Sequence, residues 1–160
     1  MTDKPRVVFD CNVLLQAAAR EKSIAAKCLN LAESGLVQIC VSREVLAEAE
    51  DVLNRSAIRA HFPDLSDEIV GAFLKHLEKL SVLVRPVPKK FSYPRDEDDE
   101  PYINLAVAAG ADFIISRDRD LLDLMAGHTD ECKEFRQRFR PLRVIEPIEL
   151  LRLIEEREGK

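Results

Sequence analysis

The residues best able to do chemistry in this sequence are carboxylates that interrupt apolar runs. Asp10 stands between Val7, Val8 and Phe9 on one side and Val13, Leu14 and Leu15 on the other. An ionised carboxylate in such a setting is costly unless its charge is compensated. Asp10 therefore either caps the next helix or faces a cation at the end of a strand. A second concentration, "RDEDDE", holds five consecutive acids from Asp96 to Glu100. Alone, such a run reads as a solvated loop. Pro101 suits the first turn of a helix and makes Asp99 or Glu100 its cap, and the helix dipole favours a carboxylate there whatever its function. Capping accounts for one acid and leaves the others. Several carboxylates gathered together repel unless a divalent cation neutralises them, and Mg²⁺ and Mn²⁺ prefer oxygen ligands.

Sulfur and nitrogen ligands offer no rival set. Cys11, Cys28, Cys40 and Cys132 are scattered, with no CxxC pair and no histidine spaced for zinc. They read as reduced, partly buried thiols of a cytoplasmic protein. His61, His76 and His128 lie far apart and read as structural or surface residues. No run approaches the ~20 apolar residues of a membrane span, and no signal peptide is expected before Arg6.

The elements that must position the acids follow from hydropathy patterning. The runs "RVVF", "LVQICV", "SVLVR", "DFIIS" and "LRVI" read as five strands. Between and after them, 23–34, 43–55, 66–80, 101–110 and 147–157 carry helical spacing. Strands alternating with helices imply right-handed crossovers, and so an α/β fold with a parallel sheet flanked by helices. Ligands of open α/β sheets bind beyond the carboxyl ends of the strands, where the strand order reverses. Asp10 falls there after the first strand, and Ser116 and Asp118 fall there after the fourth. If those strands are neighbours, the two carboxylates meet. In the helix over 43–55, Ser42 suits the N-cap, and Val45, Leu46, Ala49, Val52 and Leu53 form the buried stripe. Glu48 lies at the edge of that stripe, beside Val52, where it either reaches solvent or points along the rim of the sheet.

With these residues in place, the chain resembles the PIN-domain family, small metal-dependent ribonucleases that include many toxin components of bacterial toxin–antitoxin systems. "VVFDCNVLL" looks like the family's first motif, a strand ending in Asp-x-Asn. "SREVLAEAEDVLNR" is similar to the second, and "DEDDEPYINLAVAAGADFIISRDRDLL" to the joined third and fourth. The resemblance runs from Arg6 to about Leu153. It implies a single PIN-like domain over 1–160, with a five-stranded sheet of order 3-2-1-4-5. It implies that Asp10, Glu48, Asp99 and Asp118 form a catalytic cluster holding Mg²⁺ or Mn²⁺, with Asp96, Glu100 and Asp120 as further candidate ligands. A one-residue shift decides between Asp99 and Glu100. Asn12 and Ser116 would support the cluster by hydrogen bonds. A metal so held orients a water, lowers its pKa and neutralises charge on a phosphodiester. The implied function is a divalent-metal-dependent endoribonuclease, acting on RNA, with a cognate antitoxin protein and a homo-oligomer allowed as partners and no membrane association.

The net charge of −5 argues against indiscriminate nucleic-acid binding, so basic residues should surround an acidic pocket. In "PKKFSYPR", Lys89, Lys90 and Arg95 accompany Phe91 and Tyr93, a mix suited to phosphate contact and base stacking. "KEFRQRFRPLR" contributes Arg136, Arg138 and Arg140, within a basic insertion at about 126–140 relative to the family. Two other functions compete. A haloacid-dehalogenase-like phosphatase would use Asp10 as a covalent nucleophile, but Asn12 replaces its second aspartate and Val13-Leu14 its Gly-Thr. A PIN scaffold that only binds nucleic acid or protein is the other, and the four retained acidic positions weigh against it.

Overall fold

The computed structural model describes residues 4–159; of the expected span of 1–160, residues 1–3 and 160 lie outside them. Five strands form one parallel sheet: β1 Arg6–Phe9, β2 Gln38–Val41, β3 Ser81–Leu83, β4 Phe113–Ile115 and β5 Arg143–Ile145. Their order is β3-β2-β1-β4-β5, and every pairing is parallel. The strands are three or four residues long, shorter at their margins than the apolar runs suggest. Backbone pairing stops where the chain turns into a crossover, although side chains beyond it stay buried. Leu142 and Val37 are buried outside their strands.

The alternation of side chains along a strand sorts the core into two layers. Val7, Phe9, Ile115 and Ile145 face one side of the sheet, against Leu14, Leu29, Leu150 and Ile154. Those partners belong to α1 (Cys11–Ala19), α2 (Ile24–Glu33) and α9 (Pro147–Arg157). Val8, Ile114 and Val144 face the other side, against Ile103, Leu105 and Phe135. These come from α6 (Glu100–Ala109) and α8 (Asp130–Arg138). The remaining helices are α3 (Arg43–Leu53), α4 (Ser56–His61), α5 (Asp67–Leu80) and α7 (Arg119–Leu122). Helix starts follow their capping residues: Ser23, Ser42, Ser66 and Thr129 each accept from a backbone N–H three residues on. Gly110 ends α6 at φ 63°, a left-handed conformation that glycine adopts without strain.

Helical patterning identifies α2, α3, α5, α6 and α9 within a few residues. It does not reveal α4, α7 or α8, because four to nine residues give too few turns for a stripe to show. In α8 the buried stripe is only Cys132 and Phe135. This helix fills the segment read as a basic insertion. Among the described residues all four cysteines are free, and no helix is long and apolar enough to cross a membrane.

Candidate active site and metal centre

The site lies at the carboxyl ends of β1 and β4, adjacent strands in register at Phe9↔Ile115. Asp10 follows β1 and is 4% exposed. It is both a cap and a site residue: its Oδ1 accepts from Val13 N–H at 2.9 Å, starting α1. Its Oδ2 accepts from the Ser116 hydroxyl. Burial pushes the Asp10 carboxyl up to about 6, opposed by the Ser116 and Val13 hydrogen bonds and reinforced by the charge of Asp118. Ser116 is fully buried. Its Oγ also accepts from Asp118 N–H at 2.8 Å, so one hydroxyl ties the end of β1 to the turn after β4. Asp118 then caps α7 through Asp120 N–H, 2.8 Å.

Asp99 comes from the acidic run. Glu97–Asp99 form a single 3-10 turn that leads into α6. Asp99 occupies the N-cap position yet makes no capping hydrogen bond. It is 7% exposed, and its buried Oδ2 has no hydrogen-bond partner. Burial, then the charges of Asp118, Asp96 and Asp10, raise its carboxyl to about 8. The Asp96 carboxyl is raised as well, by burial and then by Asp118 and Asp120 against the pull of Asp98 N–H. Carboxylate oxygens of Asp96, Asp99, Asp118 and Asp120 all lie within 4.8 Å of one another.

Glu48 reaches the same cavity from α3, its Oε1 accepting from the Tyr102 hydroxyl of α6. The cavity, about 310 Å³, is lined by Asp10, Asn12, Glu48, Asp96, Asp98, Asp99, Asp118 and Tyr102, with Cys11, Leu15, Val52, Arg55 and Ile58 completing its wall. A buried carboxylate oxygen with no donor, surrounded by further carboxylates, is a poor resting state for a protein interior. An all-oxygen set of this kind fits a hard divalent cation.

Other candidates are placed differently. Glu100 turns away from the cavity: its Oε2 accepts from Tyr93 N–H at 2.7 Å and its Oε1 pairs with Lys89 Nζ at 3.1 Å. The first of these bonds, followed by Lys89, lowers its pKa. Asp120 is half-buried and held by Arg95, whose Nε is 2.5 Å from Oδ1, while Nη2 reaches Asp123 at 2.6 Å. Phe91 and Tyr93 are 2% and 1% exposed, which corrects the expectation of base stacking. Phe91 packs edge-on against Phe135 and Phe139 at 5.7 and 5.9 Å. Lys90 is exposed. Arg136 donates to the carbonyls of Leu124 and Gly127, both at 2.8 Å. Arg138 pairs with Glu134 at 2.5 Å and lies over the Phe139 ring. Arg140 lines a separate cavity of about 570 Å³ with Lys133, Arg136, Arg143 and Met125. None of the basic residues singled out from the sequence lines the acidic cavity.

Two residues of the cavity escape a reading by acids alone, Arg55 and Tyr102. Spacing points to both. Glu48 and Val52 share one face of α3 at i and i+4, with Arg55 just past the end of that helix, and Tyr102 stands three residues beyond Asp99.

A family model of the PIN domain matches residues 6–120. The chain belongs to the PIN domain family. PIN domains are generally nucleases, and PIN nucleases use divalent metals. The chain is also similar to the uncharacterized protein MJ1680 of Methanocaldococcus jannaschii, with 29% identity over 121 residues, 76% of each chain. Among solved structures it resembles VapBC2 from Rickettsia felis bound to a DNA fragment from their promoter. That likeness has a TM-score of 0.54 at 14% identity and covers 88% of this chain and 98% of the other. At that identity it speaks to the fold.

Proposed function

We propose that this protein is a divalent-metal-dependent endoribonuclease. The observation that carries the reading is the buried, unpartnered Oδ2 of Asp99 facing a group of carboxylates. Asp10, Glu48, Asp99 and Asp118 would hold Mg²⁺ or Mn²⁺, with Asp96 close by. Bound there, the ion supplies an activated water and neutralises charge developing on a phosphodiester. The chain's own groups give it a prepared setting. Ser116 fixes Asp10 against the Asp118 turn, and Tyr102 fixes Glu48. Arg95 and the Tyr93 hydroxyl hold Asp120, the latter through its carbonyl at 2.6 Å. Such preorganisation removes the reordering that a flexible acidic cluster would undergo on binding its ion.

The fold likeness to one half of a toxin–antitoxin pair supports a toxin role in the cytoplasm with a protein antitoxin as partner. The test is cleavage of single-stranded RNA with Mn²⁺ or Mg²⁺ against chelator, alongside Asp118→Asn. Cleavage that needs the ion and fails in the variant supports the reading. Metal binding without any cleavage would leave a PIN scaffold that binds and does not turn over.

A further inference from the structure

Six carboxylates line the acidic cavity, so a phosphodiester entering it meets repulsion on several sides, and an ion held deep in the site offsets only part of that. Among the described residues that line the cavity, Arg55 is the one with a cationic side chain. It stands where α3 gives way to α4, and its backbone starts α4 without any side-chain capping bond. Its Nε and Nη2 both donate to Asp51 Oδ2, at 3.1 and 2.7 Å, which leaves Nη1 without a hydrogen bond. Both partners of this pair are largely exposed, 58% and 65%, so water screens it and it holds the guanidinium only weakly. A planar guanidinium matches the paired oxygens of a phosphate better than an ammonium does.

We infer that Arg55 binds a phosphate of the RNA strand at the mouth of the cavity. This rests on the nuclease reading and adds the direction of entry, over the α3–α4 edge.

The experiment measures kcat and KM on a single-stranded RNA oligonucleotide with Mn²⁺, together with RNA binding by fluorescence anisotropy. Arg55→Gln is expected to raise KM and Kd about tenfold, one charge-assisted contact, with kcat within about threefold and the salt slope of binding reduced by about one. Arg55→Lys should recover part of the loss. The melting-temperature increase produced by Mn²⁺ should persist in every Arg55 variant, because none removes a carboxylate. Unchanged KM, Kd and salt slope in Arg55→Gln would overturn the inference while cleavage by the wild type keeps the nuclease reading. If the wild type does not cleave, that reading fails, and the anisotropy arm still decides whether Arg55 holds RNA.

Discussion

The acidic cavity and the basic face of α8 are opposites in more than sign. At the cavity, carboxylates are buried together and one oxygen, Asp99 Oδ2, has no partner. Around α8 most of the cations are already engaged: Arg136 on two carbonyls, Arg138 on Glu134, and Arg143 on Glu149. Density of charge is therefore a poor guide to function, and satisfaction is a better one. A charge whose partners are all in its own fold is holding the fold together. A buried charge left without one imposes a free-energy penalty that the fold keeps only where something else binds.

The largest expected effect separates Asp99 from Asp10. Asp99→Asn removes a charge from an oxygen that nothing satisfies. It should lower Mn²⁺-dependent RNA cleavage by more than the roughly 10–100-fold that loss of a ligand's outer-shell partner costs, while the melting temperature of the metal-free protein at pH 8 rises. Asp10→Asn should abolish cleavage equally but gain no such stability. Its amide has one acceptor oxygen where the carboxylate accepts from both the Ser116 hydroxyl and Val13 N–H, so one of those bonds is lost. Equal melting temperatures for the two variants in chelator would break the distinction.

The pH dependence comes next. Folding raises the carboxyls of Asp10 and Asp99 to about 6 and about 8, above their ordinary value of 3.8. Acids shifted upward favour the folded state fully below the ordinary value. That contribution is lost as pH rises through the folded values. In chelator, stability should therefore fall between about pH 4 and pH 8, with Asp10 contributing about 3 kcal/mol of that fall below about pH 6. Mn²⁺ at a hundred times its dissociation constant should offset part of that fall, adding about 2.7 kcal/mol where the carboxylates are ionised. Thermal melts across this range, with and without the ion, check both signs.

Smaller effects belong to the basic face. Arg136→Gln strips donors from two carbonyls and should cost about 1–2 kcal/mol of stability, with KM changed less than twofold. A tenfold rise in KM at unchanged stability would return this face to substrate binding. Arg138→Gln breaks an exposed i,i+4 pair and should change stability by less than about 0.5 kcal/mol in urea unfolding.

The same contrast explains what was legible in the sequence. The strands show because Val7, Val8, Ile114 and Ile115 are apolar on both faces, the mark of a covered parallel sheet. The meeting of Asp10 with Asp118 follows from strand-end placement plus the order 3-2-1-4-5, and the choice between Asp99 and Glu100 needed only the phase of one helix. Engagement, however, is a property of pairs. Arg95 finds Asp120 and Asp123, 25 and 28 residues away, and Phe91 finds Phe135 and Phe139. Composition shows cations and aromatics in "PKKFSYPR", but the docking of α8 decides that Phe91 faces inward. The short helices that carry these partners are also the ones hydropathy patterning misses.

The hydroxyl of Ser116 has a consequence for biosynthesis. It joins Asp10 to the Asp118 turn across 106 residues of chain, and β1 cannot pair with β4 before both exist. During synthesis, at about 5–20 residues per second, the first motif emerges many seconds ahead of the fourth. Through that interval Asp10 has no cavity and the nascent chain has no cluster with which to cut. The nuclease proposed above thus completes its cutting edge only after the codon of Asp118 has been read.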